Sequence, residues 1–129
     1  MELLPKQLAS NLPAIGSSLG IPLEDTIVHI RYFDSSTSWR WYVLEFDGKD
    51  TFFGLLISDH LVTAGQFTLT ELQSIRNEDG HLSIRRDLEF SFRSVRDLVA
   101  SEPEVVQLLK APGPTDEAAS SLVQIEESD

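Results

Sequence analysis

The chain predicts an α+β fold, an antiparallel sheet of four to five strands around a central hairpin, packed with three to four helices. Three observations point to it. Residues 39–57 hold two runs of aromatic and branched side chains on either side of Asp47-Gly48-Lys49-Asp50. That is a β-hairpin pattern, because Gly48 can take a positive φ and Asp47 can accept from the backbone ahead of it. Thr68 followed by Glu71, with Phe67 before and Leu72 after, spells a capping box with a hydrophobic staple, so a helix starts there. Residues 26–33 are dense in β-formers, and residues 82–92 alternate apolar with polar, which adds strands to the hairpin.

Composition sets the outer bounds. A chain of 129 residues with 41% hydrophobic content can bury roughly two thirds of its unfolded surface, enough for one self-sufficient domain. That domain is expected over residues 1–110, with an acidic tail over 111–129. No apolar run reaches the roughly 18 residues of a membrane span, and Met-Glu-Leu-Leu-Pro-Lys-Gln lacks a basic segment followed by an apolar one. The expectation is a soluble, cytoplasmic protein that engages no membrane. The absence of cysteine removes disulfides, thiolate metal sites and cysteine nucleophiles. With 21 acids against 10 bases the net charge is −11, and a nucleic-acid backbone would be repelled. Direct nucleic-acid binding is therefore not expected, and a basic protein is the partner that surface carboxylates would attract.

In chain order, Pro5 suits a first helical position, and Leu4, Leu8, Leu12 and Ile15 follow at helical spacing until Pro13 ends the helix near Asn11 or Leu12. Residues 16–22 form a loop. The strand over 26–33 connects through Asp34-Ser35-Ser36-Thr37-Ser38 to the hairpin, whose first arm places Trp39, Trp41, Val43 and Glu45 on one face and Arg40, Tyr42, Leu44 and Phe46 on the other. Both faces carry large rings, so the sheet should be covered on both sides. Gly54, in the second arm, marks a bulge or a close approach to the backbone. The capped helix runs over 68–76. Residues 82–92 then read as a half-buried strand with Leu82, Ile84, Leu88, Phe90 and Phe92 inward; Arg86 falls on that apolar face, and Glu45 or Asp87 is its expected partner. Ser94 with Asp97 opens a further helix, and Ser101-Glu102-Pro103-Glu104 restarts one through Val105 and Leu109. The last 19 residues hold five acids and no base, yet Leu122, Val123 and Ile125 form an apolar island. That island is expected to order only against a partner, as an added strand.

The chemistry is sparse. His29, His60 and His81 sit on three segments without metal-ligand spacing, so no metal or other cofactor is expected. Glu45, Asp47, Asp50 and Asp59 cluster around the hairpin, where paired acids could divide acid and base work, although turn chemistry alone accounts for Asp47 and Asp50. Trp39, Trp41 and Tyr42 could stack a base or a sugar, or simply fill the core. There is no phosphate-cradling glycine loop and no nucleophile elbow. Two readings stay open. One is a non-enzymatic acidic module that binds a basic protein. The other is a small enzyme or ligand binder using Glu45, Asp50 and Arg86 beside Trp39 and Trp41. Across both, the binding candidates are Trp39, Trp41, Glu45, Asp47, Asp50, Asp59 and Arg86.

One resemblance adds context. Leu12-Pro13 after the leucine-rich start, Trp39-x-Trp-Tyr-x-x-Glu-Phe-Asp-Gly-x-Asp-Thr-Phe-Phe-Gly-Leu, Gly65-x-Phe-Thr-Leu-x-Glu-Leu and the Ile84-x-Arg-Asp-Leu-x-Phe run to Phe90 resemble the bacterial domain of unknown function numbered 2958, over roughly residues 3–100. The resemblance brings no activity and no catalytic residue. It implies an accessory protein of plasmids, integrated elements or phage, with blunting of host defence as one role of that kind; mimicry of DNA charge is a form that the acidic-module reading could take, given the net charge of −11.

Overall fold

The structure is a computed structural model describing residues 1–109. Its centre is the hairpin read from the sequence. β3 (Arg40–Phe46) and β4 (Thr51–Ser58) pair antiparallel across a turn whose Gly48 has φ 85°, the left-handed region a glycine enters without a Cβ clash. β2 (Ile30–Asp34) joins β3 on one side and β5 (Leu61–Thr68) joins β4 on the other; β6 (Ile84–Arg86) closes the sheet beyond β2. The order is therefore β5-β4-β3-β2-β6, all antiparallel, with β3 in the middle. Short β1 (Ile27–Val28) and β7 (Arg93–Ser94) pair separately. The strand expected over 26–33 is thus broken at His29, and Ile27 and Val28 belong to a second sheet.

Each face of the sheet is filled. On one side Ile30, Tyr32, Trp41, Val43, Phe52 and Phe67 meet α1 (Lys6–Ala9) and α2 (Leu69–Ser74) through Leu8, Ala9, Leu69 and Leu72. On the other, Tyr42, Leu44, Leu55 and Ile57 meet α3 (Val95–Leu98), the Pro103–Val105 turn of 3-10 helix and α4 (Val106–Leu109) through Val95, Leu98, Val105 and Leu108. The capping box is present: the Thr68 hydroxyl accepts from Glu71 N–H and the Glu71 carboxylate accepts from Thr68 N–H. The Ser94 hydroxyl likewise accepts from Asp97 N–H to start α3.

Two expectations are corrected. The strict alternation along β3 fails at its end, because Val43 pairs with Gly54 while Glu45 pairs with Phe53, leaving Leu44 as the extra residue of a bulge. Glu45 and Phe46 therefore exchange faces: Phe46 joins the Trp41 layer, with its ring 5.0 Å from Phe52, and Glu45 turns to the opposite side. Gly54 lies at this irregularity, where a built Cβ would come within 1.9 Å of the Tyr42 carbonyl oxygen. The second correction concerns 82–92. Only Ile84–Arg86 is strand, and Leu88 and Phe92 are 67% and 73% exposed. Asp87 turns the chain out of the sheet by accepting from Glu89 N–H on its side chain and Phe90 N–H on its carbonyl.

Candidate functional site

The acids singled out by the sequence are mostly committed to backbone. Glu45 is 3% exposed, and its two oxygens accept from Gly16 N–H and Ser18 N–H, each at 2.8 Å. Burial pushes its carboxyl upward, but these donors outweigh it and hold it below the usual carboxylate range. Asp47 accepts from the N–H groups of Lys49, Asp50 and Thr51 at 2.7, 2.9 and 3.0 Å, which also lowers its pKa. Asp50 accepts from both the N–H and the hydroxyl of Thr70, pinning the hairpin turn to the start of α2. Asp59 opens the two-residue β4–β5 turn with φ 54° and accepts from the Ser38 hydroxyl at 2.7 Å.

Arg86 departs from expectation. Its two candidate partners are occupied, Glu45 by the 16–18 loop and Asp87 by Arg31, so among the described residues no carboxylate pairs with it. It stands opposite Tyr32 across the sheet, with its Nε buried and without a hydrogen bond. The residue is half-buried, which leaves the snorkelled route past Nε open to a long cation. Trp41 is core, whereas Trp39 is 42% exposed and packs on it with ring centroids 6.1 Å apart. Glu45, Asp50 and Arg86 thus serve three separate contacts and form no shared constellation. Leu122, Val123 and Ile125 lie outside the described residues.

The polar cluster that the fold does assemble was not legible in the sequence. Glu102, buried between α3 and the 3-10 turn, receives the Arg40 guanidinium on both oxygens at 2.6 and 2.7 Å, and the Tyr42 hydroxyl donates to it as well. Burial first, and the Glu102 carboxylate second, push the Tyr42 phenol well above its ordinary value. Arg31 donates to the same hydroxyl at 3.0 Å, bridges to Asp87 at 3.3 Å and lies over the Phe33 and Tyr42 rings. Beside this chain lies a cleft of about 450 Å³, lined by Arg31, Tyr42, Asp87, Phe90, Arg93 and Glu102 among others, with the Arg93 guanidinium over Phe90. No local spacing announces it, since 62 residues separate Arg40 from Glu102 and 56 separate Arg31 from Asp87.

The histidines stay apart. His29 is half-buried and has its pKa lowered by burial, His60 contacts Glu104 at 3.2 Å and His81 is exposed. Among the described residues, no group of three or more histidines and acids could hold a metal ion.

A family model described as "Protein of unknown function (DUF2958)" matches residues 3–99. The chain belongs to that family. No curated protein and no solved structure matches it. The part of this DUF2958 chain that matches runs from Leu3, whose carbonyl accepts from the buried Tyr32 hydroxyl, through the seven strands of the described residues, and stops three residues before Glu102. No helix among the described residues is long and apolar enough to cross a membrane.

Proposed function

We propose that this DUF2958 chain is a non-enzymatic binding module of the cytoplasm that presents carboxylates to a basic protein. One observation carries the reading. Of the 16 acids in residues 1–109, only Glu24, Asp25, Asp87 and Glu102 meet an arginine. Of the others, Asp34, Glu45 and Asp47 accept backbone N–H groups that hold their carboxyls below the usual range, so they act as fixed anions and not as proton shuttles, and only Glu104 faces a histidine. The family resemblance favours the form in which it is an accessory protein of a mobile element acting on host defence, and the net charge of −11 favours imitation of DNA charge as the means. The test is affinity capture on immobilised full-length protein at low salt, followed by a salt wash. Captured proteins should be basic and should leave as ionic strength approaches ~0.5 M, where the screening length shrinks to a few Å. Acidic captured proteins, or retention indifferent to salt, would reject the reading.

A second reading, a small-ligand binder, draws on the 450 Å³ cleft at Arg31 and Arg93 and no longer on Glu45, Asp50 and Arg86. A metabolite screen by thermal shift that finds a stabiliser of the parent chain but not of Arg93→Ala would favour it.

A further inference from the structure

The edge strand β5 is unguarded. Exposed edges usually carry a lysine, a proline or a bulge that blocks pairing with another chain. Leu61–Thr68, Leu-Val-Thr-Ala-Gly-Gln-Phe-Thr, has no charge and no proline, and it pairs with β4 residue for residue without a shift. The two-residue turn closes at Ser58 and Leu61, so the odd-numbered residues of β5 exchange hydrogen bonds with β4, and the N–H and C=O of Val62, Ala64 and Gln66 point away from the sheet. Thr68 belongs to the same outward set, and its N–H indeed bonds the Glu71 carboxylate instead of β4. Among the described residues nothing pairs with the other three, and Thr63, Ala64 and Gln66 are exposed.

Charge decides what fits there. At the start of β5 stand Asp59 and Glu104, the latter against His60; at its end stand Asp50, bonded to Thr70, and Glu71. Lys49 neighbours Asp50 at one end, and Arg40 near Glu104 at the other is already paired with Glu102, so neither end loses its acidic balance. A second copy laid antiparallel would set acid ends against acid ends. The chain's own residues 111–129 hold five acids and no base, so the same repulsion disfavours them. We infer that β5 takes an extended segment of a partner protein, apolar and β-branched in the middle and basic at both ends, as an added strand. Main-chain bonds to Val62, Ala64 and Gln66 supply the pairing, and the flanking carboxylates supply the selection. The inference rests on the basic-partner reading and gives it a location.

The test uses the full chain and a capped synthetic peptide, Lys-Lys-Val-Thr-Val-Thr-Val-Lys-Lys, titrated by fluorescence anisotropy at low salt. Binding should weaken by about tenfold in Ala64→Pro, which deletes an outward N–H and leaves the ladder to β4 intact. Amide exchange on the parent chain gives a readout independent of that variant's folding: Val62, Ala64 and Gln66 should gain protection on binding. A peptide with glutamates in place of the lysines should not bind. Equal binding of Lys-Lys-Val-Pro-Val-Pro-Val-Lys-Lys, which cannot form a strand, would overturn the added strand while leaving the basic-partner reading intact. Absence of binding by both lysine peptides would overturn the two together. Concentration-dependent self-association that protects the same three N–H groups would assign the edge to a second copy and overturn the inference.

Discussion

Glu45 shows how one carboxylate can act as a structural anion. Its oxygens tie Gly16 and Ser18, so the 14–18 loop is held to the end of β3, helped by Phe46 N–H donating to the Pro13 carbonyl. Replacing it, Glu45→Gln, turns an amide N–H₂ toward a backbone donor and should cost about 1–3 kcal/mol near pH 7, read as a lower urea midpoint. The sign with pH follows from the lowered pKa. The contribution is complete above the ordinary glutamate value of about 4.3 and disappears as pH falls through the lower folded-state value, so parent and variant should converge in acid. Gly54 is the second position where one residue type is required. With a built Cβ 1.9 Å from the Tyr42 carbonyl oxygen, backbone must move, and Gly54→Ala should destabilise by about 1–3 kcal/mol or prevent folding.

Between elements, the Arg40–Glu102 pair fastens the segment after α3 to the middle strand. Arg40→Met leaves a buried carboxylate without its guanidinium and should cost about 3–5 kcal/mol, whereas Arg40→Met with Glu102→Met should recover most of that loss in a double-mutant cycle. This tie also marks how far the sequence could be read. The hairpin turn, the capping box at Thr68 and the Ser94 cap use residues within three or four positions of one another, and all were legible. The bulge at Leu44 was not, although Gly54 signalled an irregularity facing it, because nothing in a local alternation says where an extra residue will be inserted. The 82–92 strand failed for a similar reason: its pattern is correct for a strand, but Asp87 is claimed by Arg31 on β2 and by its own turn. The Arg31–Tyr42–Glu102–Arg40 cluster depends on strand order, which no spacing encodes. Leu61–Thr68 carried no distinct signal and became the fifth strand because β4 offered an edge.

At the scale of the molecule, charge governs encounters. At −11 the chain should show no measurable binding to duplex DNA in an anisotropy titration at ~0.15 M salt, and sub-micromolar binding would contradict the acidic-surface reading. The two-layered core also has a genetic consequence at the bulge. Deleting codon 44 would leave Val43 opposite Gly54 and Glu45 opposite Phe53, so every other side chain would keep its layer while the strand lost its irregularity and one buried leucine. A regular strand at this point would let the Tyr42 carbonyl, 1.9 Å from a built Gly54 Cβ, shift away from Gly54. Loss of Leu44 should therefore suppress the defect of Gly54→Ala, so that in a double-mutant cycle of urea midpoints the doubly altered chain is less impaired than its two separate defects would sum to.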